Sequence, residues 1–584
     1  MLRCLRFAIF ASTVALVSAV ASGATREPRP GFLPHLVVPA VLQNHARNVT
    51  WKPKMGLMPG VDIDELSDTM RWISVNLPPG TKIKAGGSRL ANSPIAYSDG
   101  AYIFPQNMRF IEPVKHSLAS GSDLKASASD AWLFQVGSGT TIHEINSTLW
   151  AAGGALPALG GFDGQTLGGV LTTGTHGSVF AHGPLAEFVI RIDMVKVDGS
   201  KVRIEPHDGV TDPAVFAKAH ADWELIQSDD VFDAALVNVG TLGVVHSYLV
   251  RARDKFWLNE LRTVTTVTKA KTILHGGNVY RLVENDRAEA KRSRTGEFKG
   301  HPTPAFHLEL LWNPYSGKIA VTSRHPVDAT KRARLMDHEP PAFTGIPNRD
   351  LIRAIFTQPK YNRPLGTELA AKLVGIPAAW AANQIGKLDP KTAVKFVDVA
   401  IDGLPDKEYT QRSYNVFNIG EAANSLPANS AEISVPVAGD KYLLAMDIIE
   451  QTAKLHAEKH KLFQSGPISI RFVKGSRAIL GDHEDVAKFE LIFSGNDPST
   501  LKLAETLISA YYVALEAKLG ADVRFHWGQL VPAEVVPTLR SRMTESFPRY
   551  KDYDRIRNEF DPEKRMMSPW QETLMPTFAK PAAK

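Results

Sequence analysis

Gly160-Gly161-Phe162-Asp163-Gly164-Gln165-Thr166-Leu167-Gly168-Gly169-Val170-Leu171-Thr172-Thr173-Gly174-Thr175-His176-Gly177-Ser178 is the stretch on which the reading of this chain turns. It is dense in glycine, holds four threonines and has no lysine or arginine. That is neither helix nor strand composition. Glycine admits positive φ and lets a ligand approach the main chain, and successive N–H groups in such loops form concave nests for anions. Upstream, Gln135-Val136-Gly137-Ser138-Gly139-Thr140-Thr141 and the residues from Ile142 to Gly154 read as a strand, a glycine turn and a helix leading into the loop. A dinucleotide fingerprint would need a third glycine, but Ile142 stands there, and no P-loop occurs.

Outward from this loop, 584 residues are too many for one ordinary core and predict two large domains. With 44% hydrophobic and 22% charged residues the composition is that of a soluble globular protein. A net charge of +6 over this length gives no basic face for nucleic acid. Arg3 and Arg6, the apolar run Phe7–Val20 and the small residues ending at Ala21 or Ala24 read as a secretory signal with cleavage near one of those alanines. The run falls short of the roughly 20 residues of a membrane span. A secreted or periplasmic protein without a stable membrane span is therefore expected. The only cysteine, Cys4, lies inside that signal, leaving no disulfide, thiol nucleophile or cysteine metal site. Asn48-Val49-Thr50 and Asn146-Ser147-Thr148 match the N-glycosylation pattern.

Taken in order, Val-Gly-x-Gly-Thr-Thr, a helix, Gly-Gly-x-Leu-Pro-x-Leu-Gly through Pro157, Asp-Gly-Gln-Thr-Leu-Gly-Gly and Thr-Gly-Thr-His-Gly-Ser resemble the vanillyl-alcohol-oxidase (PCMH) type of FAD flavoprotein. Asp-Ala-Ala-Leu-Val-Asn-Val-Gly-Thr-Leu-Gly-Val-Val, ending at Val245, resembles the last signature of that FAD domain. Phe525-His526-Trp527-Gly528-Gln529 followed by Asp561-Pro562 resembles its closing segment. The resemblance implies an α+β fold of two domains: an FAD-binding PCMH-type domain and an α/β substrate domain with a large antiparallel sheet. The boundaries expected are a signal at 1–24, a lead-in at 25–54, the FAD domain at 55–253, the substrate domain at 254–530 and a returning tail at 531–584. Strands are expected at Glu260–Thr268, Phe306–Trp312, Lys318–Ser323, Glu432–Val437, Ile468–Val473, Lys488–Phe493 and Asp522–Trp527, with helices at Lys441–His460 and Thr500–Leu519. The segment Leu369–Trp380 reads as a packed helix broken by Pro377, with a lid or membrane-contact surface as the alternative.

The resemblance assigns FAD to Gly86, Gly87, Ser88, Arg89, Leu90, Pro157, Gly160, Gly161, Asp163, Gly164, Thr166, Leu167, Gly168, Gly169, Thr173, Gly174, Thr175, His176, Gly177, Gly240, Gly243 and Val244. Many members carry a flavin-linked histidine in the first turn. Leu90 or Ser88 stands at that position here, depending on the anchor, and no histidine occurs between Ile83 and Tyr97, so non-covalent FAD is expected. No metal is expected.

Such flavoproteins need a base for the substrate hydroxyl and a cation or donor near the flavin. Glu309, in Phe306-His307-Leu308-Glu309-Leu310-Leu311-Trp312, is the candidate base: alternation puts it with His307 on the face opposite Phe306, Leu308 and Leu310, and a carboxylate among such apolar neighbours would have a raised pKa. Arg471 matches the arginine of the family's Glu-x-Arg, although Ser469 replaces the glutamate. Gln529 replaces the lysine of His-Trp-Gly-Lys, and His526 is a candidate to polarise a hydroxyl. Glu432 reads as structural. These features place the chain nearest the sterol-oxidising branch with a cholesterol-oxidase type substrate domain. The expected substrate is an apolar secondary alcohol such as a 3-hydroxysteroid, extracted from membranes, with O2 as acceptor and H2O2 as product. Gly160, at the small-residue position beside the flavin C4a, permits oxygen entry. Two alternatives stay open: a sugar-alcohol or aldonolactone oxidase, and a catalytically inert flavin-binding module. A polar cleft would favour sugars, an apolar cavity sterols and a collapsed site the inert module.

Overall fold

A computed structural model of the chain describes residues 27–38, 40–114, 123–125, 132–282, 307–327, 390–402, 409–418 and 428–578. The signal-like N-terminus and Leu369–Trp380 lie outside the described residues.

The nucleotide half begins with β1 (Met55–Leu57), α1 (Ile63–Asn76), β2 (Ile83–Ala85) and β3 (Ala101–Ile103). β3 runs parallel to β1 on one side and β2 on the other. β2 therefore ends by delivering Gly86-Gly87 to the edge of this small sheet. On α1, Leu66, Met70 and Ile73 recur at helical spacing and are buried against Ile83, Ile103, Val195 and Val244, which ties the small sheet to the next one.

That second sheet contains β4 (Ile111–Pro113), β5 (Leu133–Gly137), β6 (Val189–Val195), β7 (Lys201–Glu205), β8 (Trp223–Gln227) and β9 (Val244–Arg251), in the order β8-β7-β6-β9-β5-β4. β6 and β7 form a hairpin: Asp198-Gly199-Ser200 turns with Gly199 at φ +84°, and the Lys196 N–H donates to the Ser200 carbonyl at 2.9 Å. β5 passes through its glycine turn into α2 (Ile142–Ala152), whose start is fixed by reciprocal hydrogen bonds between Thr141 and Glu144. The long loop then yields a short helix, α3 (Leu167–Thr172), and α4 (Asp229–Leu236) precedes β9.

The remaining sheet has eight strands: β10 (Trp257–Thr266), β11 (His307–Trp312), β12 (Lys318–Val327), β13 (Tyr409–Arg412), β14 (Ala428–Pro436), β15 (Ile468–Val473), β16 (Val486–Ser494) and β17 (Arg524–Phe525). They are antiparallel throughout, in the order β13-β10-β12-β11-β15-β16-β14-β17. Alternation divides this sheet sharply. Leu310, Ile470, Phe489 and Ile433 point to one face, which joins the core with α5 (Lys441–His460) and α6 (Pro498–Leu519). The neighbours on the other face are Glu309, Ser469, Arg471, Lys488, Glu490 and Glu432. That charged face must be covered, and the glycine-rich loops cover it.

Several expected strands differ at their ends, two of them for a visible local reason. β10 stops at Thr266, because the Thr266 hydroxyl accepts the Lys269 N–H and starts a helix at Val267. The strand expected over Asp522–Trp527 is reduced to Arg524–Phe525, since Gly520–Asp522 forms a tight helical turn.

The chain's tail, including α7 (Tyr550–Phe560), returns to the nucleotide half. The Ile83 N–H donates to the Arg565 carbonyl at 2.8 Å, and the Tyr553 hydroxyl lies 2.6 Å from Thr241 Oγ1. Three further stitches align the halves. Asn92 N–H donates to the Gly528 carbonyl at 2.7 Å, and Ser93 Oγ donates to the Trp527 carbonyl at 2.6 Å. Ser178, which closes the central loop, donates to the Leu308 carbonyl of β11 and accepts the Phe472 N–H of β15 at 3.0 Å.

Candidate active site

The stitched surfaces enclose a cleft of about 370 Å³, within the size range of small-molecule sites. One wall is main chain and small residues: Gly86 to Asn92, Gly160 to Phe162, Thr166, Gly169, Thr172, Thr173, Thr175, His176 and Gly240. Gly87 is needed for close approach, since a Cβ there would run into the Thr166 side chain. Gly240 is needed for conformation as well as space: it sits at φ +67°, and a Cβ would lie 3.1 Å from Lys84 Nζ.

The opposite wall comes from the charged face of the large sheet and the segment after β17: Ser430, Glu432, Arg471, Glu490, Ile492, His526 and Gln529. Glu432 is the most heavily engaged. His176 Nε2 lies 2.9 Å and 3.1 Å from its two carboxylate oxygens, and Lys488 Nζ lies 3.5 Å away. Burial opposes ionisation of Glu432, but the charges of His176 and Lys488 outweigh it and hold the carboxyl well below its ordinary range. Glu490 lies directly beside it in the register and has no such partners. Burial pushes its carboxyl up to about 7, with the Glu432 and Glu309 charges adding and Arg471 opposing. His526 Nδ1 accepts the Gly528 N–H at 3.1 Å. Burial draws that imidazole down to about 4, so it is neutral at physiological pH, with its hydrogen on Nε2. His176, Glu432 and His526 bring ligand-type atoms within 4.8 Å of one another, and Lys488 supplies positive charge to that cluster.

The structure sorts the sequence candidates. Arg471, His526 and Gln529 line the cleft, as do Gly86, Gly87, Ser88, Arg89, Leu90, Gly160, Gly161, Thr166, Gly169, Thr173, Thr175, His176 and Gly240. Pro157, Asp163, Gly164, Leu167, Gly168, Gly174, Gly177, Gly243 and Val244 do not; they shape the loops from behind. Ser88 Oγ donates to the Gly164 carbonyl at 2.7 Å, His143 holds Asp163 at 3.0 Å, and Gly168 N–H donates to the Ser138 carbonyl at 2.9 Å. A Cβ on Gly243 would press to 2.5 Å from the Val195 carbonyl of the adjacent strand, a packing requirement.

Glu309 is a correction. It is buried but does not line the cleft: Arg471 and the Ser469 hydroxyl donate to Oε1, and Arg324 donates to Oε2 at 3.0 Å. A carboxylate clamped between two guanidinium groups is an ion-pair partner, not a free base. Its charge outweighs the cost of burial at Arg471 and raises that guanidinium above its ordinary range. Glu432, read as structural, faces the cleft, and Glu490 was missed. The signal that could have found Glu490 is a carboxylate alternating with Phe489 and Leu491 beside the strand that lacks one at Ser469.

The wall fits FAD. Arg89 adopts φ +55°, uncommon without glycine, and its buried Nε has no hydrogen-bond partner among the described residues. An orphaned guanidinium nitrogen at a glycine turn is suited to a pyrophosphate.

Residues 62–205 match the FAD binding domain family, and residues 278–574, half of the chain, match the D-arabinono-1,4-lactone oxidase family. The chain belongs to the D-arabinono-1,4-lactone oxidase family. It is a flavoprotein of the vanillyl-alcohol-oxidase type, and its cofactor is FAD. This lactone oxidase family member is 23% identical over 211 residues to a putative D-arabinono-1,4-lactone oxidase of Neurospora crassa, covering 36% of this chain and 30% of that protein. It is 22% identical over 293 residues to the L-gulonolactone oxidase of Mus musculus, covering 49% and 53%. The matched stretches thus span about half or less of these relatives. In structure the family member is similar to the cholesterol oxidase of B. sterolicum, with a TM-score of 0.62 at 12% identity over 94% of this chain and 99% of that one. At that identity the likeness is one of fold.

Proposed function

We propose that this FAD-dependent oxidoreductase oxidises a hydroxyl group on a compact polyhydroxylated molecule, an aldonolactone or sugar alcohol, with dioxygen as electron acceptor. The observation that carries this reading is the polarity of the sheet wall. Glu432, Glu490, Arg471, His526, Gln529 and Ser430 converge there, with Ile492 and Ala428 as the apolar sheet residues among the described lining. Buried polar groups left without partners are costly, so a wall of this kind favours a ligand carrying several hydroxyls over a hydrocarbon ring system. The names of the sequence relatives point the same way; the sterol reading rests on likeness of fold.

When bound, FAD supplies the hydride acceptor at flavin N5. The chain's own groups do the rest. Gly86 to Leu90 and the Arg89 guanidinium would hold the pyrophosphate. Arg471, fixed by Glu309, presents a permanent cation for negative charge developing on substrate oxygen. His526, neutral and carrying its hydrogen on Nε2, offers a donor to a hydroxyl. Gln529 Oε1 is taken by Asn92 at 2.8 Å and Ser430 at 2.7 Å, leaving the amide nitrogen to donate.

The test is anaerobic bleaching of the bound flavin by aldonolactones, alditols and detergent-dispersed cholesterol. Bleaching by a lactone or alditol supports the proposal. Bleaching by cholesterol alone would overturn it in favour of the sterol reading.

A further inference from the structure

We propose that Glu490 accepts the proton of the substrate hydroxyl, a carboxylate supplied from β16 in place of the one absent at Ser469 of β15. The inference rests on the hydroxyl-oxidising function above and names the base that function requires.

Ser469 and Glu490 are direct register partners on adjacent strands, and Glu490 is also the register partner of Glu432 on the other side. Alternation turns all three to the cleft side of the sheet, where Glu432 and Glu490 line the wall together with Arg471. A carboxylate moved one strand sideways is displaced by about 5 Å, and it still faces the same cavity. Ser469 is occupied in donating to Glu309 at 3.1 Å.

Three carboxylates compete for the role, and their partners separate them. Glu309 is clamped by Arg324 and Arg471 away from the cleft. Glu432 is held ionised by His176 and Lys488 and is a weak base. Glu490 alone has no hydrogen bond or ion pair at its carboxyl among the described residues. The charged and titratable groups around it are Glu432 from β14, Arg471 from β15, Lys488 on its own strand, Glu309 from β11, His526 beyond β17 and His176 from the central loop. Two neighbouring carboxyls with opposed environments, one forced to stay ionised and one poised near neutrality, are the arrangement that assigns acid–base roles.

In the step itself the substrate O–H bond breaks and its proton passes to a Glu490 carboxylate oxygen. The oxygen's freed electron pair closes the C=O bond as the carbinol C–H pair leaves as hydride, for which bound FAD would be the acceptor. Substrate loses two electrons and two hydrogens; one hydrogen resides on Glu490 as a proton and the other on the cofactor.

The experiment compares wild type, E490Q and E490D in two measurements. The first is the anaerobic rate of flavin reduction against pH. E490Q is expected to lose about 10²–10⁴-fold and the acidic limb of the profile, while E490D retains the limb at a lower rate. An unchanged rate and profile in E490Q overturns the proposal. The second needs no turnover: the unfolding midpoint against pH. E490Q and wild type should coincide at acidic pH and diverge in favour of E490Q as pH rises from about 4.5 to about 7, with no further divergence above that. Parallel curves would show an ordinary carboxyl and overturn the proposal. If no hydroxyl compound reduces the wild-type flavin, the functional reading fails, and the unfolding comparison still decides whether Glu490 is the poised group.

Discussion

Glu309 and Arg471 stand opposite each other on adjacent antiparallel strands, and a single carboxylate oxygen, Oε1, accepts from both Nε at 3.2 Å and a terminal nitrogen at 3.1 Å of the guanidinium. The other oxygen accepts from Arg324, which in turn donates to Glu260 at 2.7 Å. The cation at the cleft is thus the exposed end of a buried chain of alternating charge, anchored strands away from the ligand.

Removing the middle of that chain should cost both stability and positioning. Glu309→Ala leaves two guanidinium groups without their shared partner, a loss of roughly 3–5 kcal/mol. Glu309→Gln keeps the volume and part of the hydrogen bonding and should cost less. In denaturant unfolding the expected order is wild type, E309Q, E309A. E309Q should slow anaerobic flavin reduction and keep the acidic limb of the pH profile, moved toward lower pH because the Glu309 charge that raises Glu490 is gone. Loss of that limb would return the role of base to Glu309.

Gly160 lines the cleft, and a Cβ at that position would meet Thr175 Cγ2 at 3.2 Å, tight enough to require a small adjustment but not a rearrangement. Gly160→Ala should therefore fold and bind FAD. If Gly160 admits dioxygen, reoxidation of reduced enzyme should slow by about tenfold or more, equivalent to about 1.4 kcal/mol of barrier, while anaerobic reduction is little changed. Stopped-flow reoxidation separates the two. Equal reoxidation rates would mean oxygen reaches the cofactor by another route.

Ser88 and Leu90, the two positions at which a flavin-linked histidine was sought, both line the cleft and neither can form the bond. Acid precipitation should leave yellow colour in the supernatant. The lead-in contributes a different histidine, His45, to the cleft rim, where its backbone N–H donates to the Arg89 carbonyl at 2.9 Å. Colour that stayed with the protein would direct attention to His45, and loss of that colour in His45→Ala would settle the linkage.

What could be read from the sequence was local. The glycine loop, the strand–turn–helix before it, the hairpin at Asp198-Gly199-Ser200 and the long helices all follow from composition and period within some twenty residues. The site depends on register, which period alone does not fix. Alternation puts Glu309 on one face of its strand with His307, but does not show that Arg471 stands beside it and consumes its oxygens. Glu432 pairs with His176 from 256 positions away, a contact to which no local pattern points. Glu490 escaped for the same reason: its meaning comes from facing Ser469 across a strand pair. Lys84 also went unnoticed, because a lysine in a short strand ordinarily reaches solvent.

Here it does not. Lys84 is fully buried at the cleft's edge, where Nζ donates to the carbonyls of Gly240 at 2.9 Å and Met566 at 2.9 Å and to Gln571 Oε1 at 3.0 Å. Burial draws the amine from 10.5 down to about 7, with Asp561 opposing. A folded-state value below the unfolded one means the folded state binds fewer protons between the two. The penalty for burying the cation is full below about 7 and is relieved as pH rises toward 10.5, so stability rises across that window. The shift corresponds to about 5 kcal/mol as an upper bound. Lys84→Met removes the titration, and it also leaves the buried Gly240 and Met566 carbonyls without their donor, Gln571 Oε1 keeping the Ser568 N–H, so it should be less stable than wild type. The measurable signature is the difference between the two proteins. The gap in unfolding free energy of the FAD-free forms should widen from about pH 7 to about pH 10 as wild type gains stability, with other titrating groups cancelling. A constant gap would mean that the Lys84 amine stays charged when the protein folds, held by its carbonyl cage.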